Sequence, residues 1–487
     1  MGKSAVVFRA DGHAKMGLGH LIRSAALAEM LTPDFDCHLV YRHCPKALLA
    51  DFSHFIGFCQ LDASLSLHTD AQALIDYVAS LGQPCPIVVL DGYHFTTDYQ
   101  QEIVTAGCFL VCIDDIHQTE FIGQLVINHA PAATLADYQS AQTTQFALGL
   151  RFALLRAPFR QAAQSRTERQ QQGNHIFVCL GGADPDNVTI KVLQTLTDRG
   201  VSETIDLVVG SAYTHEVTLA DYLRHSKLSV TVHRAVSASQ MAQLMRASSV
   251  GITSPSTVCL EYLSAGGRLF LQQIADNQKE IHTALLARGL AQDISAFSVG
   301  SGRGDTLADS PSTRGPMLLD GLQDVRFRKL FAGLGLTYRA ATHSDSAVYL
   351  QWANDPLVRA QSFDSRMIDP AAHDAWFSRR LEDPNTDLLV FTDRRRLAVG
   401  QVRLQLDGST AVIGYSVAAA ARGAGFGLAM LHFAQNHLQA HRPEVDHIVG
   451  YVKQSNVASL ITFRRLGYRE LPTDDYPNAI KFELHDF

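Results

Sequence analysis

The sequence predicts an α/β protein with two doubly wound parallel sheets and a smaller mixed α+β domain at the C-terminal end. Short apolar runs alternate with helical stretches between about residues 4 and 150, and the same alternation starts again at residue 175. This alternation is typical of parallel sheets that carry helices on their faces. The pattern changes after Leu336. Since 487 residues are too many for one domain, we expect three, over residues 1–160, 174–335 and 336–487.

Each predicted sheet rests on its own apolar runs, which are long enough for strands but too short for helices. The strands predicted for the first sheet are Ala5–Phe8, His38–Tyr41, Ile87–Leu90, Phe109–Ile113 and Leu125–Ile127. The helices predicted between them are Leu21–Leu31, Ala71–Leu81 and Asp98–Ala106. The strands predicted for the second sheet are His175–Leu180, Ile205–Val209, Ser229–Val232, Val250–Thr253 and Leu269–Gln272.

Composition excludes several classes of function. Hydrophobic residues make up 46% of the chain and charged residues 18%, so substantial cores can form. The net charge of −7 and the sequence pI near 6.3 give no general attraction to nucleic acid or to anionic membranes. No apolar run approaches the ~18 residues of a membrane span, and the N-terminal residues lack a secretory pattern. We therefore expect a soluble, cytoplasmic protein.

The cysteines and histidines do not predict a metal site. None of the eight cysteines forms a C-x-x-C pair. His432, His437 and His441 share one helical stretch, but no H-E-x-x-H pattern or nearby carboxylate accompanies them. We expect reduced, buried cysteines and no bound metal.

A glycine-rich turn near the N-terminus is the most informative segment of the chain. It follows an apolar strand and leads into a helix. Gly17 and Gly19 let the backbone approach a ligand, and the free N–H groups at the helix start favour an anion. His20, which titrates near neutral pH, falls where strand, turn and helix meet. The turn lacks both the dinucleotide fingerprint and the triphosphate loop, so an ordinary α/β turn is the alternative interpretation.

The second predicted domain has polar segments after its strands. Ser256 and Thr257 open a helix whose N–H and Oγ groups can bind a diphosphate. Glu261, about two turns further on, is placed to accept both hydroxyls of a ribose, and the alternative is a capped helix with a solvated Glu261. The candidate ligands in this domain are Gly181, Gly182, Ser256, Thr257, Glu261, Asn277 and Gln278.

Together these segments resemble the UDP-sugar hydrolase family of pseudaminic acid biosynthesis, over about residues 1–335. The matching segments are Arg9–Asp11, Gly17-Leu-Gly-His20-x-x-Arg23, Ile113–Asp115, Leu148–Phe159, Leu180–Pro185, Ser256–Gly266 and Asn277–Gln278. The resemblance implies two Rossmann-like domains in the glycosyltransferase-B architecture. It also implies hydrolysis of UDP-2,4-diacetamido-2,4,6-trideoxy-β-L-altropyranose to UDP and the free sugar.

The resemblance assigns roles to individual residues. The catalytic histidine of the family falls on His20, and a neutral imidazole can take the proton of an attacking water near pH 7. Asp11 either orients His20 or binds the sugar. Asp114 and Asp115 either hold the structure or bind the amides of the substrate. The remaining candidate ligands of the UDP-sugar in this domain are Arg9, Gly17 and Gly19.

The last domain contains a second glycine-rich loop. The motif Arg422-x-x-Gly425-x-Gly427 lies between an apolar strand and a helix, so its N–H groups can bind a diphosphate. Asn456 opens an amphipathic helix that is closed by Gly467. Each segment taken alone also fits a capped helix with a core face.

As an ordered pair the two segments resemble the Gcn5-related N-acetyltransferase (GNAT) family, which implies acetyl-CoA as the co-substrate. The segments Tyr349–Arg359 and His373–Phe377 resemble the members that acetylate sugar-nucleotide amines. The implied acetyl-CoA ligands are Val417, Arg422, Gly423, Gly425, Gly427 and Asn456. A splayed strand before Arg422 is expected to leave backbone groups free for the acetyl thioester.

One position departs from this family. Many relatives have a tyrosine as the general acid seven residues after the asparagine, where this chain has Phe463. Tyr468, Tyr415 or a water are the candidates to replace it. His373 and Asn354 are candidates for binding the sugar nucleotide, and a buried structural role is the alternative for His373.

The resulting hypothesis is a bifunctional enzyme, a monomer or a homodimer through its C-terminal domain. That domain N-acetylates a UDP-4-amino sugar, and the N-terminal pair of domains hydrolyses the UDP linkage of the product. The alternatives are a glycosyltransferase fused to an acetyltransferase, a non-catalytic UDP-sugar sensor, and an acetyltransferase that acts on a protein amine.

Overall fold

The computed structural model divides the chain into two compact units. Unit 1 comprises residues 1–139 and 146–327, and unit 2 comprises residues 140–145 and 328–487. The structure describes residues 3–13, 17–83, 86–141, 143–165, 175–182, 184–210, 212–298, 318–393, 396–423, 425–485 and 487. Most of both predicted α/β domains thus falls within unit 1, whereas their residues 140–145 and 328–335 belong to unit 2.

Unit 1 contains a first sheet of seven strands in the order β3-β2-β1-β4-β5-β6-β7. Its strands are β1 (Ser4–Ala10), β2 (Phe35–Tyr41), β3 (Gly57–Gln60), β4 (Ile87–Asp91), β5 (Phe109–Ile113), β6 (Leu125–Asn128) and β7 (Gln145–Leu148). The pairs from β3 through β6 are parallel. The helices that accompany it are α1 (Gly19–Leu31), α2 (Lys46–Asp51), α3 (Leu67–Ser80) and α4 (Thr97–Thr105), whereas α5 (Ala157–Gln164) packs with the core of the second sheet.

The first sheet positions polar residues at the carboxyl ends of β1 and β4. β4 is buried at every position, and β1 at all but its first, as central strands covered on both faces require. The strand order reverses here, because β1 pairs with β2 on one side and with β4 on the other. Ala10 is the register partner of Asp91. A crevice for ligands forms at such a reversal, so the residues that follow β1 and end β4 are well placed for function.

The second sheet of unit 1 has six parallel strands in the order β10-β9-β8-β11-β12-β13. Its strands are β8 (His175–Cys179), β9 (Thr204–Val209), β10 (Val230–Arg234), β11 (Ser248–Thr253), β12 (Arg268–Leu271) and β13 (Gln292–Asp293). Its helices are α6 (Val188–Asp198), α7 (Glu216–His225), α8 (Ala238–Ala247), α9 (Thr257–Ala265) and α10 (Lys279–Ala287). Helix α11 (Gln323–Gly333) follows and spans the boundary between the units.

Unit 2 is built on a seven-stranded sheet in the order β14-β15-β16-β17-β18-β20-β19. Its strands are β14 (Thr337–Ala340), β15 (Thr386–Thr392), β16 (Ala398–Asp407), β17 (Thr410–Val417), β18 (His447–Lys453), β19 (Arg469–Pro472) and β20 (Ala479–His485). Its helices are α12 (Ser346–Ala353), α13 (Pro356–Gln361), α14 (Pro370–Glu382), α15 (Phe426–His441) and α16 (Val457–Arg465).

One pair of strands interrupts the antiparallel pattern of this sheet. β17 and β18 run parallel, and their register extends only from Thr410↔His447 to Ile413↔Gly450. β17 continues to Val417 and β18 to Lys453 beyond the last paired residues. The two strands therefore splay apart at this point, as the resemblance predicts.

The predicted parallel sheets and the mixed C-terminal domain are confirmed. The strands that the sequence did not predict include the edge strand β3, whose positions alternate between half-buried and exposed and so lack a continuous apolar run. Most of the polar stretch 161–173 and of the Gly/Ser-rich stretch 298–316 lies outside the described residues. Among the helices that the structure describes, none combines the length and the apolar character needed to cross a bilayer.

Candidate functional site in each unit

Two predicted site residues of unit 1, Arg9 and Asp11, belong to a buried charge network. The guanidinium of Arg9, which is 0% exposed, binds Asp11 Oδ2 at 2.7 Å and Asp70 Oδ2 at 2.8 Å. Asp11 Oδ1 also accepts the backbone N–H groups of Arg42, at 2.6 Å, and His43, at 2.9 Å. Burial raises the pKa of Asp11, but Arg9 and these N–H groups outweigh burial and hold that pKa below its usual range. Both side chains therefore have protein partners that fix the end of β1.

The histidine of the glycine-rich turn is oriented by Asp91, at the end of β4, and not by Asp11. His20 is 5% exposed, and its Nδ1 lies 2.7 Å from Asp91 Oδ1. Arg23, one turn further along α1, binds Asp91 Oδ1 at 2.6 Å and lies 3.0 Å from the same Nδ1. A guanidinium only donates, so its hydrogen bond goes to the carboxylate when Nδ1 carries a proton. Ser24 Oγ donates to Asp91 Oδ2 at 2.9 Å and completes the set.

These contacts determine the tautomer of His20. Burial raises the pKa of Asp91, yet the neighbouring Arg23 and the hydrogen bond from His20 hold that pKa below its usual range. An ionised carboxylate can only accept, so Nδ1 of His20 carries the proton. When the ring is neutral, this tautomer leaves the lone pair on Nε2, which is the arrangement that a general base needs.

Two further residues complete the surroundings of His20. Arg23 Nη1 binds Asp115 Oδ2 at 2.7 Å, and the buried Asp115 Oδ1 has no hydrogen-bond partner among the described residues. The Tyr93 ring meets the His20 ring edge-on at 4.7 Å between centroids. Burial, together with nearby Asp115, raises the pKa of Tyr93 to about 12, so its hydroxyl stays protonated and can donate.

The predicted diphosphate ligands lie in turns with the required backbone freedom. Gly17 has φ +89° and Gly181 has φ +99°, values that strongly favour glycine. A side chain at Gly210 would collide with the backbone of Gly182. The turn after β8 and the turn after β9 therefore lie very close together. Ser256 precedes α9 and makes no side-chain cap, and Thr257 is the first residue of that helix. The N–H groups at the start of α9 are thus not used by a capping side chain.

Glu261 is already bound to an arginine. It is 3% exposed, and its Oε1 accepts from Arg156 Nε at 3.1 Å and from Arg156 Nη2 at 2.7 Å. Burial raises the pKa of Glu261 despite this pairing. Gln278 Oε1 accepts the backbone N–H of Ile274, and the side chain of Asn277 lies outside the described residues.

In unit 2 the predicted acetyl-CoA loop joins β17 to α15. Gly423, with φ +80°, and Gly425, with φ +75°, both lie in the left-handed region, and Gly425 immediately precedes the helix. Arg422 binds the carbonyl of Val417 at 3.1 Å and Asp355 Oδ1 at 2.8 Å. The loop is therefore held next to the splayed end of β17.

Two other predicted acetyl-CoA ligands are Gly427, which lies close to this loop, and Asn456, which caps a helix. A Cβ atom at Gly427 would come within 3.3 Å of the Tyr415 ring, which places the start of α15 beside the splay. Asn456 caps α16, because its Oδ1 accepts the N–H of Ser459 at 3.2 Å.

The candidates for the general acid occupy different environments. Phe463 packs on the sheet, where a side chain at Gly450 would meet its ring. Tyr468 is 5% exposed within the same core, and its hydroxyl accepts from Gln435 Nε2. Tyr415 instead lines a cavity, and its hydroxyl lies 2.9 Å from Ser459 Oγ. Burial raises the pKa of both tyrosines, so both hydroxyls are protonated.

The cavity of unit 2 has a volume of about 470 Å³, and the splayed end of β17 forms part of its lining. Its lining includes Gly414, Tyr415 and Ser416 from β17, and it also includes His373. Nε2 of His373, a residue 3% exposed, donates to the carbonyl of Ser346 at 3.0 Å. Asn354 instead forms two hydrogen bonds with the backbone of Ile368, which hold the loop before α14.

Among the residues of these sites, sequence reasoning missed Asp91 and Tyr93 in unit 1 and Gln401 and Arg403 in unit 2. The signal for the first two was present, because Asp91 ends an apolar strand that neighbours β1 at the reversal of strand order. Arg403, within β16, lines the cavity of unit 2, and no sequence motif marks it.

Comparison with known proteins supports parts of this picture. Residues 335–469 match the family described as Acetyltransferase (GNAT) domain, so the chain carries a GNAT domain at its C-terminal end. The chain is 21% identical over 287 residues to the UDP-2,4-diacetamido-2,4,6-trideoxy-β-L-altropyranose hydrolase of Campylobacter jejuni, covering 58% of this chain and 97% of that protein. This is a weak homology. An uncharacterized protein of Methanocaldococcus jannaschii is 20% identical over 476 residues, 94% of this chain and 96% of the relative.

Solved structures match over a smaller share of the chain. The spermidine N-acetyltransferase of Vibrio cholerae in complex with CoA and spermine is 15% identical, with a TM-score of 0.29, and covers 31% of this chain and 95% of its own. The aminoglycoside acetyltransferase AAC(6′)-Ib in complex with coenzyme A is 18% identical, with a TM-score of 0.27, and covers 31% of this chain and 95% of its own.

Proposed function

We propose that this protein is a bifunctional nucleotide-sugar enzyme. Unit 2 transfers an acetyl group from acetyl-CoA to the 4-amino group of a UDP-linked sugar. Unit 1 hydrolyses UDP-2,4-diacetamido-2,4,6-trideoxy-β-L-altropyranose to UDP and the free sugar, as in pseudaminic acid biosynthesis. Two Rossmann-like domains in the glycosyltransferase-B arrangement carry the hydrolysis. The strand orders of the two sheets of unit 1 support that arrangement, because each reverses beside its first strand.

His20 is the general base of the proposed hydrolysis. Its Nε2 takes a proton from water while the water oxygen bonds to C1 of the sugar and the bond from C1 to the diphosphate oxygen breaks. Asp91 holds Nδ1–H and stabilises the imidazolium that forms. A positioned base of this kind contributes about 10²–10⁴ in rate.

The remaining polar groups of unit 1 bind the substrate. The turns at Gly17 and Gly181 and the start of α9 offer N–H groups to the diphosphate, which leaves as a stabilised anion without a metal. Asp115 Oδ1, buried and without a partner among the described residues, accepts from an amide or hydroxyl of the sugar. Glu261, which is paired with Arg156, accepts hydrogen bonds from the ribose hydroxyls. Arg9 and Asp11 act by positioning the end of β1.

The proposed acetyl transfer depends mainly on placement. The splayed end of β17 holds the thioester, and the neutral amine attacks its carbonyl carbon from the cavity. Orientation of this kind can contribute several kcal/mol. The carbon–sulfur bond then breaks and the thiolate takes up a proton, while the nitrogen of the new amide loses one proton to water. We assign the proton donor for the leaving thiolate to Tyr415, because it lines the cavity beside Gly427, whereas Tyr468 lies in the core.

The observation that carries the hydrolase half is the buried contact of 2.7 Å between His20 and Asp91. The test supplies the diacetamido UDP-sugar to the full chain and follows UDP release. We expect His20→Ala to lose at least about 100-fold in kcat while still binding UDP by calorimetry. His68→Ala is the matched control, since that ring is 76% exposed on α3 of the same sheet.

Other outcomes of this experiment assign other functions. UDP release only when an alcohol acceptor is added identifies a glycosyltransferase, and UDP-sugar binding without turnover identifies a sensor. CoA release from the UDP-4-amino sugar tests the acetyltransferase half independently. Wild-type UDP release in His20→Ala contradicts the hydrolytic mechanism.

A further inference from the structure

The cavity of unit 2 has an uneven distribution of charge. Among the described residues that line it none is acidic, whereas two arginines and a histidine contribute to the lining: Arg359, Arg403 and His373. A pocket that receives a polycation needs carboxylates to compensate the charge of its ligand. The side chains that line this pocket carry positive charge instead.

The two arginines differ in what they already bind. Arg359 donates to the backbone carbonyls of Ala353, Asp364 and Arg366 and to Ser362 Oγ. Its hydrogen-bonding capacity therefore serves to hold the loop after α13. It contributes charge to the cavity but has little capacity left for a ligand.

Arg403 has unused hydrogen-bonding capacity. Its Nε is buried and has no hydrogen-bond partner among the described residues. Its guanidinium lies 5.9 Å from the centre of the Trp376 ring. The charged or titratable groups that influence it are Arg380, Tyr349 and Tyr476, and none of them is a carboxylate. Burial lowers the pKa of Arg403, and nearby Arg380 lowers it further.

A second unpartnered atom lies on the same side of the same strand. Gln401 stands two residues before Arg403 on β16, so the two side chains share a face. Its Nε2 donates to Ser416 Oγ at 3.2 Å, and its buried Oε1 has no partner among the described residues. Buried polar groups are normally hydrogen-bonded, so two unsatisfied atoms in one cavity indicate a ligand that completes them.

The strand register fixes where these atoms lie relative to the proposed chemistry. Gln401 pairs with Ser416 and Arg403 with Gly414, both on the splayed part of β17. Gly414 has no side chain to separate Arg403 from the splay. A ligand group bound to Arg403 would therefore lie close to an amine placed for acetyl transfer.

We propose that Arg403 and Gln401 select an acetyl acceptor that carries an anionic phosphate or diphosphate group in addition to its amine. Arg403 binds the anion through its planar donors, and Gln401 Oε1 accepts from a hydroxyl or amine of the same molecule. This inference rests on the proposed acetyltransferase function, whose UDP-linked acceptor has the required diphosphate. It excludes polyamines as preferred acceptors.

The first test is a binding measurement on the full chain. Both tryptophans of the chain, Trp352 and Trp376, belong to unit 2, so their fluorescence reports on this unit. Inorganic pyrophosphate is titrated with CoA at saturation, so that the cofactor loop is occupied. We expect a saturable change in the wild type and at least a tenfold higher Kd in Arg403→Met. The matched control is Arg379→Met, an exposed position on α14. No saturable change, or an equal Kd in Arg403→Met, overturns the proposal.

The second test separates this inference from the proposed function. CoA release is followed with the UDP-4-amino sugar, glucosamine 6-phosphate, glucosamine and spermidine. A charge-assisted hydrogen bond predicts that Arg403→Met raises KM about 10-fold to 100-fold for the phosphorylated acceptors and leaves kcat and the KM of acetyl-CoA unchanged. Acetylation of glucosamine 6-phosphate but not of the UDP sugar contradicts the proposed function and supports this inference. Preferred acetylation of spermidine overturns this inference.

Discussion

The arginines of the two sites differ in how their charge is compensated. In unit 1, Arg9 is bound by Asp11 and Asp70, and Arg23 by Asp91 and Asp115. In unit 2, the buried Nε of Arg403 has no partner among the described residues. Burial lowers the pKa of Arg9, but its carboxylates outweigh burial and raise that pKa above its usual range. The opposite holds for Arg403, whose pKa is lowered.

This difference shows which charges hold the structure and which are available to ligands. A buried cation between two carboxylates is neutralised by the protein and acts by positioning its neighbours. A buried cation without a carboxylate costs free energy in the empty protein and gains a partner only when an anion binds. Arg9 is therefore already neutralised by Asp11 and Asp70, although it lies in the motif that resembles a UDP-sugar hydrolase.

The largest expected effect comes from Asp91, because it fixes the tautomer of His20. Asp91→Asn is expected to reduce kcat for UDP release by about 10²–10⁴, since an amide can donate to Nδ1 and favour the wrong tautomer. Ser24→Ala is the matched comparison, because Ser24 donates to Asp91 Oδ2 without contacting Nδ1. A circular dichroism spectrum checks folding, and equal losses in the two variants would contradict the assigned tautomer.

The second effect concerns stability. Asp70 on α3 binds Arg9 and Arg42 and accepts from Tyr99 at 2.6 Å, so Asp70→Asn leaves buried cations poorly compensated. We expect its free energy of unfolding to fall by about 3–5 kcal/mol in urea titrations followed by circular dichroism. Arg403→Met is expected to change the stability of unit 2 by less than about 1 kcal/mol, because no carboxylate loses a partner. If the free energy of unfolding falls more in Arg403→Met than in Asp70→Asn, the contrast between the two arginine environments is wrong.

The smallest effect is a pH dependence at His129. Burial, reinforced by nearby Arg23, lowers the pKa of His129 to about 4, and its Nδ1 accepts the N–H of Leu154 at 3.3 Å. Between this value and an unfolded pKa of about 6.5, the unfolded chain binds more protons, so stability falls as pH falls through the window. His129→Gln is expected to recover about 1–2 kcal/mol of the loss between pH 7 and pH 5.

This dependence is measured as the change in the urea midpoint between the two pH values. His225→Gln on the exposed end of α7 is the control and should behave as the wild type. An unchanged pH dependence in His129→Gln would show that the ring is not the group that titrates.

The sequence alone determined the local architecture and the backbone of both candidate sites. Continuous apolar runs gave the central parallel strands, since strands covered on both faces need apolar residues at nearly every position. Glycines marked turns at Gly17, Gly181 and Gly425, because positive φ values strongly favour glycine. The GNAT domain was also predicted from its ordered loop and helix, and it is confirmed.

Only the tertiary structure decided which side chains meet. Asp91 follows His20 by 71 residues, and their contact exists because β1 and β4 are neighbours in the sheet. Arg403 and Gly414 meet because β16 and β17 pair in one particular register. Local sequence patterns specify backbone conformation and buried faces, whereas pairing between distant strands depends on how the whole sheet assembles. The partner of His20 and the unpaired charge of Arg403 were therefore fixed only by that assembly.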